Sequence, residues 1–180
     1  MTLEERHKFL SQVVKILDEA GIEFWLDCGT LLGVIRGDDF IEWDHDIDIS
    51  TKKENQPYVQ LLVNKFRAIG EFGECKRNNQ FISSDYVVKD GYKIDIYYWY
   101  GVGDYYICYT NDEYTNIAPK HYFQPLKEID FKGLKVKIPN NPEKFLEERF
   151  GKNWRIPDKN WQENNQKTLK PLKDYIKYFV

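Results

Sequence analysis

Apolar residues recur at helical spacing in the first stretch of the chain. Phe9, Leu10, Val13, Val14 and Leu17 mark one face of a helix over 3–20, and Gly21 stops it. The pattern then shortens. "IEFWLDC" (22–28) predicts a strand, and "GTLLG" (29–33) a tight turn into a short helix, with glycine permitting the turn. "HDIDIS" (45–50) alternates polar and apolar residues and predicts a half-buried strand. A second helix is expected over 57–69, with Pro57 in its first turn, Gly70 at its end and Tyr58, Leu61, Leu62, Phe66 and Ile69 as its stripe.

Downstream the period is mostly that of strands. Segments 72–78 and 80–88 are expected to pair around Asn78-Asn79. "YKIDIYYWY" (92–100) and "DYYICYT" (104–110) form strands joined at "GVG" (101–103), and 128–139 a hairpin. "NNPEKFLEERFG" (140–151) is a capped helix, with Asn141 as cap, Pro142 at the first position and Gly151 at the end. A last helix is expected over 171–179. Helices and strands mix without regular alternation, so the fold class is α+β, a mixed-sheet α/β arrangement with a central sheet flanked by helices. No linker divides the chain, and 1–180 reads as one domain.

Composition narrows the function. A net charge of −3 disfavours a generally basic nucleic-acid binder while leaving room for a local basic patch. Three widely spaced cysteines, Cys28, Cys75 and Cys108, give no disulfide framework or zinc motif, and a reducing cytoplasm is the simplest setting. The charged N-terminal stretch lacks the apolar centre of a signal peptide, and no run of about 18 apolar residues could form a membrane span. Lysines 167, 170, 173 and 177 form a solvated face or a contact for an anionic glycolipid or membrane surface.

The chemistry concentrates in "WDHDID" (43–48). On a strand, Asp46 and Asp48 share one face while Ile47 and Ile49 share the other. Two crowded carboxylates suit a hard divalent cation, Mg²⁺ or Mn²⁺, although an acidic solvated strand has the same pattern. A calcium loop starting at Asp44 is excluded, because Ile49 and Asn55 stand where it needs glycine and glutamate. Gly29-Thr30, after an apolar strand and before a helix, can cradle phosphate through backbone N–H groups and the Thr30 hydroxyl. Asp95, between Ile94 and Ile96, repeats the setting of Asp48 and supplies a third acid. His45 and His121 read as structural or surface residues, Trp43, Cys28, Phe145, Leu146 and Phe150 as packing, and Trp154 and Trp161 as core or acceptor contacts.

A Gly-Thr turn, an acid-apolar-acid strand and a later third acid together resemble the nucleotidyltransferase fold. The longer stretch "FWLDCGTLLGVIRGDDFIEWDHDIDIS" (24–50) resembles the LicD family, the group that includes fukutin and fukutin-related protein. Its pattern is matched at Gly29 to Gly33, Arg36, Phe40, Ile41, Trp43, Asp44, Asp46 and Asp48, with Glu42 replacing the usual proline. The segment 131–157 is similar to the family's closing segment.

The resemblance implies a metal-dependent transferase that moves a phosphorylated alcohol, such as phosphocholine or ribitol phosphate, from a CDP-activated donor to a glycan or glycolipid hydroxyl, releasing CMP. It implies that Asp46, Asp48 and Asp95 bind the metal, with Asp95 as candidate base and Asp44 as a further ligand or support. Gly29, Thr30 and Arg36 would hold donor phosphates, the arginine fork matching phosphate oxygens. Transfer of NMP from an NTP to a small molecule or protein is an alternative on the same fold. A carbohydrate-binding module without turnover is another.

Overall fold

In the computed structural model, residues 1–77, 81–162 and 165–179 are described; the expected Asn78-Asn79 turn lies outside them. Helix α1 (Leu3–Glu19) starts in a capping box, where Thr2 Oγ1 accepts from Glu5 N–H and Glu5 returns the bond to Thr2 N–H. Its expected stripe is buried throughout, joined by Ile16. β1 (Phe24–Leu26) leads into α2 (Cys28–Gly37), β2 (Asp46–Lys52), α3 (Gln56–Leu61) and α4 (Val63–Arg67). β3 (Glu71–Arg77), β4 (Phe81–Lys89), β5 (Tyr92–Val102), β6 (Tyr105–Tyr109) and β7 (Tyr114–Pro119) follow. The hairpin β8 (Lys127–Phe131) and β9 (Leu134–Ile138) precedes α5 (Pro142–Phe150), and β10 (Leu169–Pro171) comes near the end.

Eight of these strands form one mixed sheet, in the order β1-β2-β5-β6-β7-β10, with β4 and β3 branching from β5. β5 is the trunk. β2 runs parallel to it along one edge from Asp46↔Lys93 to Lys52↔Trp99. β4 pairs antiparallel with residues 92–97 and β6 with 99–102. Among the described residues only the β2–β5 pairing is parallel, and it is the one that carries the acids. Ile47, Ile49, Ile94 and Ile96 are fully buried on the opposite face and seat both strands in the core.

Several boundaries differ from the sequence reading. The second helix breaks at Leu62 into α3 and α4, and its expected stripe holds only in its second half. Tyr58 and Leu61 are exposed and Val59 is buried in their place, while Phe66 is buried and Leu62 and Ile69 pack against the core as expected. The turn expected at "GVG" falls at Gly103-Asp104, because Gly101 and Val102 continue β5. The helix expected over 171–179 is β10 and two 3₁₀ turns, 172–174 and 176–178. β7 had no sequence signal. Its buried Thr115 and Asn116 bond to Cys108 O and to the Thr110 and Thr168 hydroxyls. Among the described residues no helix is long and apolar enough to cross a membrane.

Candidate active site

Parallel register builds the centre of the site. Asp48 lies directly beside Asp95, and Asp46 beside Lys93, all on one face. Asp46, Asp48 and Asp95 each offer a carboxylate oxygen, and these atoms lie within 4.8 Å of one another. Asp48 and Asp95 are buried and Asp46 is half-buried. Burial, with Asp46 and Asp95 alongside, pushes the Asp48 carboxyl well above its ordinary range. Asp95 is raised by burial too, opposed by Lys93, whose Nζ lies 2.6 Å from Asp95 Oδ2. The donor set suits a divalent cation of the Mg²⁺ or Mn²⁺ kind. It is all hard oxygen, and a cation between the acids would let them stay ionised despite burial.

Asp44 lies outside that set of three. Burial and the Asp46 charge raise it to about 6. It reaches across to α2, where a Cβ on Gly29 would come 2.4 Å from Asp44 Oδ2. The Gly29 position is therefore a close approach. The positive φ at this turn belongs to Cys28 (φ 44), where the glycine was expected to supply it. Gly33 lets the loop after α2 pass close, since a Cβ there would meet Asp39 O at 2.6 Å. Thr30 also departs from expectation. It is buried, and its hydroxyl accepts from Asp48 N–H at 2.8 Å, tying α2 to β2 instead of opening toward a ligand.

Arg36, near the end of α2, is half-buried, and burial lowers its pKa. The salt bridge to Asp38 or Asp39 that would have given it a merely structural role is not formed. Asp38 caps α2, and Asp39 is engaged by Lys132 and faces His7. Arg36 instead lines a cavity of about 830 Å³ together with Gly29, Asp44, Asp46 and Asp48. Trp43, Phe150, Trp154 and Trp161 line it as well, so the aromatic residues read as core in part face this space. His45 and His121 are exposed and do not line it.

The sequence reading missed the supports. Asp27 caps α2 by accepting from Cys28 N–H and is 1% exposed. Its carboxylate also receives Ser50 Oγ at 2.6 Å, Trp99 Nε1 at 3.0 Å and Arg149 Nη1 at 2.5 Å. One buried acid thus joins α2, β2, β5 and α5. Arg6 bonds to Ile41 O and Glu42 O and lies 4.6 Å over the Tyr92 ring, whose hydroxyl donates to Asp46 O. Together they fix the path of the chain into β2. Asp27 stood in the sequence near the end of an apparent strand, and nothing local marked Arg149 as its partner.

Comparison with known proteins places this geometry. A model of the LicD/FKTN/FKRP nucleotidyltransferase domain matches residues 21–141. The ribitol 5-phosphate transferase FKRP of Mus musculus is 31% identical over 149 residues, 77% of this chain and 30% of that protein. The ribitol-5-phosphate transferase FKTN of Homo sapiens is 27% identical over 161 residues, 86% of this chain and 34% of that protein. The chain spans about a third of the length of these relatives. Among solved structures, the lincosamide antibiotic adenylyltransferase LnuA aligns over 88% of this chain and 90% of its own, with 16% identity and a TM-score of 0.53. The antibiotic-resistance factor ANT(2'')-Ia aligns over 91% and 80%, with 12% identity and a TM-score of 0.57. These two likenesses concern the fold, which is that of a nucleotidyltransferase. With its family pattern matched over 21–141, the chain belongs to the LicD/FKTN/FKRP nucleotidyltransferase-domain family.

Proposed function

We propose that this domain transfers a phosphorylated alcohol from a CDP-activated donor to a glycan hydroxyl and releases CMP. The observation that carries the reading is the parallel register that gathers Asp46, Asp48 and Asp95, with Asp46 and Asp48 lining the same cavity as Arg36. The names of the relatives, ribitol phosphate transferases, support the class of group transferred. The acceptor oxygen attacks the phosphorus bearing the alcohol, and the bond from that phosphorus to the bridging oxygen of CMP breaks. Asp95 takes the acceptor proton. Its raised pKa suits a base, and Lys93 stabilises its ionised form. Arg36 and the backbone at Gly29 hold the donor phosphates. Thr30 acts one step back, holding Asp48 through its backbone.

Asp46, Asp48 and Asp95 would hold Mg²⁺ or Mn²⁺, with Asp44 as a further ligand or support; such an ion neutralises charge on the transferring phosphoryl oxygens. The domain acts on its own substrates as one unit in a cytoplasmic setting, which the three widely spaced cysteines Cys28, Cys75 and Cys108 suit.

The test is CMP release from a panel of CDP-alcohols with glycan acceptors and Mg²⁺. Asp48→Asn should lower kcat by more than the roughly 10–100-fold that loss of a supporting contact around a metal costs. An Asp48→Asn protein of undiminished activity would remove the metal assignment. Pyrophosphate release from an NTP would establish NMP transfer instead. Glycan binding without either product would establish a binding module.

A further inference from the structure

Arg149 is 3% exposed and splits its guanidinium between two parts of the chain. Nη1 and Nη2 reach Asp27 Oδ1 and Cys28 Sγ at the start of α2, while Nε donates to Gln166 Oε1 at 2.7 Å. A guanidinium carries donors only. The Gln166 atom facing it is therefore the carbonyl oxygen, and the orientation of that amide follows from chemistry. Gln166 is 7% exposed and lines the same cavity as the acids. Its Nε2 makes no hydrogen bond among the described residues, so the free side of the amide consists of N–H donors alone. Lys167 N–H donates to Arg149 O at 2.7 Å and pins the backbone beside it. Trp161, packed on Phe150 with ring centroids 5.1 Å apart, lines this wall too. Both Arg149 and Gln166 lie outside the family match at 21–141.

We propose that Arg149 and Gln166 are a specificity device for the nucleoside of the donor, an inference that rests on the CDP-donor reading above. Arg149 is the positioning residue, holding the Gln166 amide with its donors outward. Gln166 reads the accepting edge of a pyrimidine base lying against the Trp161 wall. Cytosine presents a carbonyl oxygen and an unprotonated ring nitrogen side by side, and both accept. Uracil carries an N–H at that ring position and meets the amide donors badly. A sugar hydroxyl donates and accepts alike and would not need an amide fixed in one orientation. Arg36 and the acids, the residues assigned to phosphate and metal, leave this wall to the base.

The experiment is calorimetric titration of the Mg²⁺-loaded protein with CMP, UMP and ribose 5-phosphate. The unmodified protein should bind CMP at least about tenfold more tightly than UMP. Gln166→Glu keeps a carbonyl-type oxygen for Arg149, so the melting temperature should hold. It turns an acceptor outward, and CMP affinity should fall roughly ten- to a hundredfold while ribose 5-phosphate is unaffected. Gln166→Met, which removes the donors without adding charge, should abolish the CMP preference in the same way. In CDP-alcohol turnover both variants should raise KM for the donor far more than they lower kcat. Equal weakening of CMP and ribose 5-phosphate, or an intact CMP preference in both variants, overturns the proposal. If the unmodified protein releases CMP while the variants behave like it, only this inference fails. If it turns over no CDP-alcohol but binds CMP with a Gln166-dependent preference, the transfer reading fails and this one stands.

Discussion

Gly29 and Gly33 sit four residues apart on α2 and answer to different neighbours. At Gly29 an added methyl meets the tip of the Asp44 side chain, which can swing aside. At Gly33 it meets backbone, Asp39 O and Ile41 N, which cannot. Gly29→Ala is therefore expected to change stability by less than about 1 kcal/mol, since alanine also favours the helix. It should perturb activity to the same degree as Asp44→Asn. Gly33→Ala should destabilise the fold measurably in a urea melt. A Gly29→Ala protein with full activity beside an inactive Asp44→Asn would show that Asp44 acts without touching α2. The importance of both glycines was legible in "GTLLG", and so was the shared face of Asp46 and Asp48. The reasons were not. A glycine that makes room for a residue 15 positions away has no local signature, and neither does a threonine whose hydroxyl serves a strand.

Among the elements, those with strong ends were legible and those held by distant partners were not. α1 and α5 lie within a residue or so of where their caps and glycine stops put them. α3 and α4 show the opposite case. Phe66 of the expected stripe packs against α1 and β3, but in the first turn Val59 takes the buried side in place of Tyr58 and Leu61. The junction of α2 with α5 was invisible because its charges are sequence-remote. Removing Arg149 strands Asp27 in the core, so Arg149→Met should destabilise the protein by about 3–5 kcal/mol in denaturant melts. Adding Asp27→Leu should recover part of that loss; no recovery would mean the pair is not coupled.

β4 and β5 carry a second acid, Asp85, which turns away from the site. It is fully buried, accepts from the Tyr98 hydroxyl and is raised to about 6 by burial. Its folded pKa exceeds the unfolded value of about 3.9, so the folded state holds the proton longer and stability falls as pH rises from about 4 through 6. Asp85→Asn, whose amide oxygen can still accept from Tyr98, should flatten that decline in thermal melts across the same range. A decline as steep as before would assign it wholly to other acids.

For the whole molecule, the crowding of buried acids makes the metal-free fold carry its own repulsion. Mg²⁺ or Mn²⁺ should raise the melting temperature, by about 2.7 kcal/mol of stability at 100 times Kd, and a chelator should reverse it. Asp48→Asn should melt higher than the unmodified protein without metal and gain little from its addition. A calorimetric scan with no response to either cation would count against the acidic centre as a metal site. The α+β class and the family were legible from 24–50 and Asp95. The branching at β5 was not, because strand order depends on which edges meet in three dimensions. That branching has a consequence for how the protein comes to life. The acids on β2 and β5 become neighbours only when two parallel strands 47 residues apart in the chain close on each other, and parallel closure over such a distance is slow. A register slip by one residue would send Asp48 and Asp95 to opposite sides. The nascent chain thus holds Asp46 and Asp48 without Asp95 beside them, and the complete three-acid site for a divalent ion arrives late and all at once, as a sign that folding has finished.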